Sequence, residues 1–218
     1  MATSNSAAEP QSGQSTPDTS MVVRDAQPPL PDAIRDRLCP VVFELFTEKD
    51  FHQVNLREIY QRSGVSPSTI YRYFDTKEEL VFSLLTEKIQ EIAEIIREQT
   101  RGIESSRELM RRIFWLTLDY YDRNPGVAVT AFITIPLRSW MRSGAYTRHN
   151  ASRIIYDLRE YGVARGEIDP AVSAADIADQ YFMYCYRQIH KWYFRGMKRK
   201  LVDELDQFFP LVWKTIAK

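Results

Sequence analysis

The sequence predicts an all-α protein of one or two domains, for three reasons. Apolar residues recur at the three- and four-residue spacing of an α-helix from about residue 31 onward. No segment shows the alternation of apolar and polar residues that a half-buried strand requires. Side chains that cap helices stand directly before several of the apolar runs. With 218 residues and 44% hydrophobic content, the chain is long enough to bury a real core.

The amino-terminal part of the sequence is typical of a disordered tail followed by one helix. Residues 1–30 are rich in Ser, Thr, Gln, Pro and Ala and nearly free of large apolar residues, so we expect them to be disordered. A first amphipathic helix is predicted from about Pro31 to Lys49. Pro40 lies inside it and removes one backbone hydrogen bond, so we expect a kink or a late start.

Residues 55–74 predict two short helices joined by a tight turn. Asn55 can cap the first helix, with Glu58 completing a capping box. Gly64 supplies the free backbone that ends this helix. Ser66 can cap the second helix, and Pro67 fits its first position. This is the layout of a helix-turn-helix, whose second helix docks in the major groove of DNA.

Six further helices are predicted after this unit. Asp75, with Glu78 three residues later, is expected to open a long helix that ends at Gly102. Ser105, with Glu108, opens the next helix in the same way. The remaining predicted helices cover about residues 127–134, 146–165, 173–195 and 201–216, and Ser173 is expected to cap the third of these.

The penultimate helix predicts a homodimer, because it is apolar on two sides. One side is predicted to carry Ile177, Tyr181, Tyr184 and Gln188, and the other Phe182, Cys185, Ile189 and Tyr193. A helix with two apolar sides must be buried on both. The last two helices of two subunits could therefore form a four-helix bundle across a two-fold axis. Such a dimer would present two recognition helices about 34 Å apart to a pseudo-palindromic operator.

Several protein classes are disfavoured. No apolar run reaches the length of a membrane span and no secretory signal precedes residue 31, so a cytoplasmic protein is expected. Cys39 and Cys185 are expected to be buried thiols. The three histidines have no metal-ligand spacing, and no catalytic set or Gly-rich phosphate loop is present. We therefore expect no metal, no cofactor, no catalytic residue and no enzyme activity.

The charge balance sets a condition on DNA binding. The net charge of the chain is zero, and residues 31–80 hold seven basic and nine acidic side chains. If this segment binds DNA, its basic groups must be separated from its acidic groups and face the phosphates. Weak overall basicity also predicts modest non-specific affinity, since counterion release scales with the number of phosphates neutralised.

Five motifs carry a resemblance to a known family. They are Phe43-Glu44-Leu45-Phe46, Leu56-Arg57-Glu58-Ile59, Gly64-Val65-Ser66-Pro67, Thr69-Ile70-Tyr71-Arg72-Tyr73-Phe74 and Lys77-Glu78-Glu79-Leu80. Over about residues 33–85 the chain resembles the tetracycline-repressor (TetR) family of bacterial transcription regulators. The resemblance implies a DNA-binding domain at residues 31–80 and an effector-binding and dimerisation domain at residues 81–218.

The resemblance also implies which residues contact DNA. Small polar residues early in the recognition helix reach base edges in this family, which implies Ser68 and Thr69 here. Arg72 is the residue best equipped to recognise guanine, through a bidentate pair. Tyr71, Tyr73 and Lys77 match phosphate or thymine-methyl contacts, while Ile70 and Phe74 are expected to be core. The expected DNA-contacting residues are Asn55, Ser66, Ser68, Thr69, Tyr71, Arg72, Tyr73 and Lys77.

The effector-binding residues are predicted from aromatic and basic content alone. The expected set is Trp115, Phe132, Arg138, Trp140, Tyr181, Tyr184, Arg187 and His190. A pocket of this type is mostly apolar with a few placed polar groups. For each aromatic residue, ordinary core packing is the simpler interpretation. The arginines Arg138, Arg142 and Arg148 could bind an anion or could form a solvated helix face.

The sequence therefore predicts a homodimeric DNA-binding repressor that a small apolar or aromatic effector releases from its operator. An anionic effector with a carboxylate or acyl group is compatible with the arginines. Two alternatives stay open. One is a helical interaction module that does not recognise DNA, and the other is a DNA-binding activator of the same family.

Overall fold

The computed structural model describes residues 30–143 and 150–218, the side chains of residues 141–152 excepted. These residues form helices and no β-strand, so the all-α prediction is confirmed. The α-helices are α1 (Asp32–Glu48), α2 (Leu56–Ser63), α3 (Pro67–Tyr73), α4 (Lys77–Gln99), α5 (Ser106–Arg123), α6 (Pro125–Val129), α7 (Leu137–Ser143), α8 (Asn150–Ala164), α9 (Ala174–Phe194) and α10 (Leu205–Ile216). A π-helix (Thr130–Thr134) follows α6, and a 3-10 helix (Leu201–Glu204) precedes α10. The predicted tail, up to residue 29, and residues 146–149 of the predicted 146–165 helix lie outside the described residues.

Four helices begin at the caps that the sequence predicts. The side chain of Asn55 accepts a hydrogen bond from the backbone N–H of Glu58, and Ser66 accepts one from Thr69. Ser105 caps α5 in the same way. At α9 the Ser173 cap is a complete capping box with Asp176. Each cap satisfies an N–H group that the first helical turn leaves without a partner.

Other details of the prediction are wrong. Thr76, not Asp75, caps α4, since its hydroxyl accepts from the backbone N–H of Glu79 at 3.1 Å. Glu58 does not complete a capping box, because its carboxylate pairs with Lys49 at 2.6 Å. Helix α1 starts at Asp32, close to the predicted start, and continues through Pro40, so the late start does not occur. The predicted helix at 127–134 is α6 followed by the π-helix, and α7 was not predicted.

Helix α4 and the segment around α6 join the first three helices to the rest of the fold. The Arg35 guanidinium on α1 pairs with Glu87 on α4 at 2.6 Å. The Thr134 hydroxyl of the π-helix donates to the backbone carbonyl of Phe46 on α1 at 2.6 Å. A Cβ at Gly126 would lie 3.1 Å from Phe43 Cβ, so α6 approaches α1 as closely as a glycine permits.

The helices after α4 form a domain with two distinct ends. At the end that touches α1, called here the near end, Leu201 N–H donates to Asp122 at the close of α5 at 2.7 Å. At the opposite or far end, Ser106 N–H donates to Glu167 at 2.6 Å. The core between the ends is aromatic: Phe114 is fully buried and lies against Tyr181, Phe208 and Phe209.

Helix α9 is apolar on two sides, although its faces differ from those predicted. The side facing the core carries Ile177, Tyr181, Cys185, Gln188, Ile189 and Trp192, all buried. The outward side carries Met183, Tyr186 and Phe194, whose residues are 70%, 52% and 91% exposed. Cys185 and Ile189 thus lie on the core side, because the turn of the helix places them beside Tyr181 rather than opposite it.

Both cysteines are free thiols, Cys185 buried and Cys39 half-buried. Burial raises the pKa of Cys185 to about 12 and also raises the pKa of Cys39. Both side chains are therefore protonated at neutral pH, which disfavours thiolate chemistry. No helix in the described ranges is both long enough and apolar enough to cross a membrane.

Candidate DNA-binding surface

Helix α3 is held by two buried residues and exposes its other side. Ile70 and Phe74 are buried, which confirms their predicted place in the core. Tyr71 is 55% exposed, and Ser68 and Arg72 are also exposed. A seven-residue helix that commits only one side to packing leaves the other side free to enter a groove.

The first turn of α3 carries a small network of hydroxyl groups. The Ser66 hydroxyl lies 3.0 Å from that of Ser68 and 2.7 Å from that of Thr69. Hydroxyl groups can both donate and accept, so this network can adapt to several base edges or phosphate oxygens. Ser66 is also the cap of α3, so its side chain serves local structure as well.

Tyr73 and Asn55 are less available than the prediction requires. Tyr73 is half-buried and its ring packs near Phe74, with 6.4 Å between the ring centroids. The Asn55 side chain is exposed, but its oxygen is engaged as the cap of α2. Both remain predicted DNA contacts, and each also has a structural role.

Most basic groups of the first four helices are engaged within the fold. Ion pairs join Arg35 to Asp32 and Glu87, Lys49 to Glu58, and Arg62 to Glu44 and Glu48. Arg37 donates to the backbone carbonyl of Ser63 at 3.2 Å. These ion pairs commit the cations to holding the helices together, so few basic side chains of this segment are left to face phosphates.

Within residues 31–80, Arg57 and Arg72 are the arginines that are not engaged in this way. Both are exposed, and neither forms an ion pair with any residue that the structure describes. Arg72 is a predicted base contact, and Arg57 is a further candidate that the predicted set does not include. The signal for Arg57 was present in the sequence: no acidic residue stands three or four positions from it, where a helix would pair them.

Lys77 is engaged in a structural contact. Its ammonium donates to the backbone carbonyls of Phe51 and Val54 at 2.6 and 2.9 Å, and lies 4.7 Å from the centroid of the Phe51 ring. The start of α4 is thereby tied to the loop that precedes α2. Lys77 therefore has a structural role, and its contact with DNA stays a prediction.

We expect Lys77→Met to lower the free energy of unfolding by about 1–3 kcal/mol, because two carbonyl groups lose their partner. Urea denaturation followed by circular dichroism measures this change. Lys88→Met is the matched control on the same helix, since it removes only a partly exposed ion pair with Glu91, worth about 0–1 kcal/mol. Unchanged stability with weakened DNA binding would instead assign Lys77 to the phosphates.

The residues predicted to bind an effector do not form one cluster. A hydrogen bond of 2.6 Å joins the hydroxyl groups of Tyr181 and Thr117, and Tyr181 is buried beside Phe114. The ring of Tyr184 stacks on that of Phe208. Both are thus part of the core. Trp115 lies elsewhere, beneath the Arg112 guanidinium at 4.6 Å.

The other predicted effector residues separate into two groups. Phe132 lies against Tyr121 and Tyr186, and Trp140 donates to the carbonyl of Ala131 while packing against Phe82. These two aromatics flank the π-helix. Arg138 and Arg187 are exposed, and His190 contacts Tyr186 on the outward side of α9. The side chains of Arg142 and Arg148 lie outside the described residues.

Comparison with known proteins also identifies a DNA-binding unit in the first helices. A model of the family described as "Bacterial regulatory proteins, tetR family" matches residues 43–84. The HTH-type transcriptional regulator UidR of Escherichia coli (strain K12) is 26% identical over 155 residues, which cover 59% of this chain and 79% of UidR. The residues that the family model matches include α2, the turn and α3.

Solved structures share the fold over most of the chain. The fatty acid degradation regulator FadR from Bacillus halodurans superimposes with a TM-score of 0.77 over 85% of this chain and 97% of its own, at 16% identity. FadR from Bacillus subtilis, solved in complex with stearoyl-CoA, gives 0.73 over 81% and 96%, at 19% identity. These proteins are transcriptional regulators and not enzymes. Residues 43–84 therefore carry the DNA-binding unit of the TetR family of transcriptional regulators, and the described residues share the fold of its solved members.

Proposed function

We propose that the chain is a homodimeric repressor that a long-chain acyl-CoA releases from its operator. The observation that carries DNA recognition is the exposed side of α3, where Tyr71, Arg72 and Ser68 project from a helix anchored by Ile70 and Phe74. A purely structural helix-turn-helix would gain nothing from these side chains. In this proposal Arg72 contacts a base and Tyr71 contacts the sugar-phosphate backbone of DNA. The hydroxyl network at the start of α3 contacts base edges or phosphate oxygens.

The outward side of α9 supports the homodimer. Met183, Tyr186 and Phe194 form an apolar surface on one face of the helix, and Leu211 on α10 is 60% exposed. A partner subunit that covers this surface through the same helices would complete a four-helix bundle. Arg187 and His190 lie on the same side, so we assign them to this interface rather than to the effector.

The acyl-CoA effector is supported by the two FadR proteins, one of which was solved with stearoyl-CoA bound. Within this chain, the aromatic residues next to the π-helix are the best candidates to contact the acyl chain. Phe132 is half-buried, and its neighbours Tyr121 and Tyr186 provide apolar surface. π-helices are rare and occur frequently at functional sites, since a turn that costs stability is retained where it has a use.

The same segment offers a route from the effector to the DNA-binding helices. The π-helix is bonded to α1 through Thr134 and Phe46, and Trp140 packs against Phe82 on α4. A ligand that displaces Phe132 would move both contacts and thereby tilt α1 and α4. To release DNA, the ligand must bind this displaced state better than the DNA-bound state, because equal affinity for both shifts nothing.

Stearoyl-CoA is expected to change the fluorescence of Trp140 and to release the protein from its DNA. The duplex for this test is one recovered by binding-site selection, and stearate and free coenzyme A are the matched controls. Trp140→Phe should abolish the fluorescence change, whereas Trp115→Phe should retain it, because Trp115 lies on a different part of the surface. Unchanged fluorescence and unchanged DNA affinity with stearoyl-CoA would rule out this effector.

An activator built on the same fold is the second candidate. It would bind DNA through α3 in the same way but raise transcription. In vitro transcription from a promoter that contains the selected site separates the two, since the repressor lowers transcript yield and stearoyl-CoA restores it. Higher yield in the presence of the protein would overturn the repressor assignment.

A further inference from the structure

The connection between α9 and the 3-10 helix is strongly basic. Residues 195–200 read Arg-Gly-Met-Lys-Arg-Lys, and each of them is exposed. From the sequence alone this run is most simply a solvated connection. In the structure it borders a groove of about 400 Å³ whose lining also includes Lys191, Trp192 and Glu204.

This basic loop (residues 195–200) is tied to the rest of the fold at both ends. Gly196 and Met197 both adopt positive φ angles, 70° and 56°, which for a methionine is uncommon. The indole N–H of Trp192 donates to the carbonyl of Arg199 at 2.8 Å. Asp122 accepts from the backbone N–H of Leu201 directly after the loop. A loop fixed at both ends loses little entropy when its side chains bind a ligand.

The cations in and beside the basic loop fall into two groups, those that form ion pairs and those that do not. Glu204 pairs with Lys191 and with Arg195, and the hydrogen bond from Lys191 lowers the pKa of its carboxyl group. These two cations thus serve to anchor the loop. Lys198, Arg199 and Lys200 form no ion pair with any described residue, and their three charges face solvent together.

The basic loop also lies at the end of the domain that faces the DNA-binding helices. Its neighbour Asp122 belongs to the last turn of α5, and α6 begins three residues later against Phe43 of α1. Helix α9 starts near the far end and α10 returns to it, where the backbone N–H of Asp169 donates to the carbonyl of Ile216 at 2.9 Å. Flexible basic side chains at the near end act on DNA phosphates over about 8–10 Å before salt screens them.

We propose that Lys198, Arg199 and Lys200 form a second phosphate-contacting surface, which binds the DNA backbone while α3 occupies the major groove. The inference rests on the proposed use of α3, because α3 fixes the DNA at this end of the molecule. The surface adds affinity without base preference, as phosphate contacts do. It also supplies positive charge that the first four helices lack, since most of their cations are engaged in internal pairs.

The test compares two triple variants that each remove three positive charges. Lys198→Gln/Arg199→Gln/Lys200→Gln neutralises the basic loop, and Arg97→Gln/Arg101→Gln/Lys218→Gln neutralises exposed cations near the far end. Affinity is measured over a range of salt concentrations, with the selected duplex and with a random-sequence duplex. The loop variant should bind both duplexes about 10-fold more weakly, with a salt slope reduced by about 1–3. The far-end variant should match wild type.

The other outcomes are equally informative. A loop variant with the affinity and salt slope of the far-end variant overturns the inference, provided thermal melting shows both to be folded. If the triple variant of the loop fails to fold, the double variant Lys198→Gln/Lys200→Gln takes its place in the same comparison. Binding of inorganic pyrophosphate that the loop variant loses, together with an unchanged salt slope, would mark a site for a free anion instead. If wild type selects no duplex, it is the proposed function that fails.

Discussion

Replacing Tyr71 and Arg72 together by alanine is expected to weaken binding to the selected duplex by about 100-fold or more. A bidentate arginine–guanine pair contributes about 1–3 kcal/mol, and a dimer loses the contact in both half-sites. Both side chains are exposed in the free protein and hold no other element in place. Thermal stability should therefore stay within the range of ordinary surface substitutions, about 0.5 kcal/mol.

The matched control is Arg153→Ala/Tyr156→Ala on α8, which removes an exposed arginine and an exposed tyrosine outside the first four helices. A mobility-shift titration of wild type and both double variants gives the comparison. The account requires that only the α3 variant lose affinity. Equal affinity for all three proteins would mean that α3 does not contact DNA.

The second large effect concerns the dimer. Met183→Asp/Phe194→Asp places two carboxylates on the outward side of α9, where a partner subunit would have to bury them without compensation. We expect a monomer in sedimentation velocity. We also expect DNA affinity to fall by about 100-fold or more, because two linked half-site contacts bind far more tightly than one.

Leu137→Asp is the control for this effect, since Leu137 is 66% exposed on α7 and not on α9 or α10. It should remain dimeric and keep its affinity. A double variant that sediments as the wild type does would show that the last two helices are not the interface. A monomer with undiminished affinity would show that recognition needs no second subunit.

The DNA-binding unit could be predicted closely because its signals are local. The caps Asn55 and Ser66 are set by neighbouring residues in the chain, and a pattern of apolar residues suffices to place Ile70 and Phe74 inside. The prediction of Asp75 rather than Thr76 as the cap of α4 is wrong by one residue, and it also rests on local signals. Two adjacent side chains can each cap a helix, and the choice depends on where the preceding turn ends.

Lys77 shows what local signals leave out. Its partners, the carbonyls of Phe51 and Val54, stand more than 20 positions earlier in the chain, so no pattern around Lys77 indicates them. The predicted effector residues fail to converge for a related reason. Aromatic content shows that Tyr181, Tyr184 and Trp115 must be covered, but only the packing of α5, α9 and α10 decides which of them face each other.

The most direct test of DNA recognition is a binding-site selection run in parallel with wild type and Arg72→Ala. Wild type should recover an inverted repeat whose half-sites are spaced by about one helical turn, as two recognition helices of a dimer require. Arg72→Ala should recover the same repeat with one base pair in each half-site no longer specified. Identical motifs from the two proteins, or no motif from wild type, would contradict the assignment of α3 as the helix that recognises DNA.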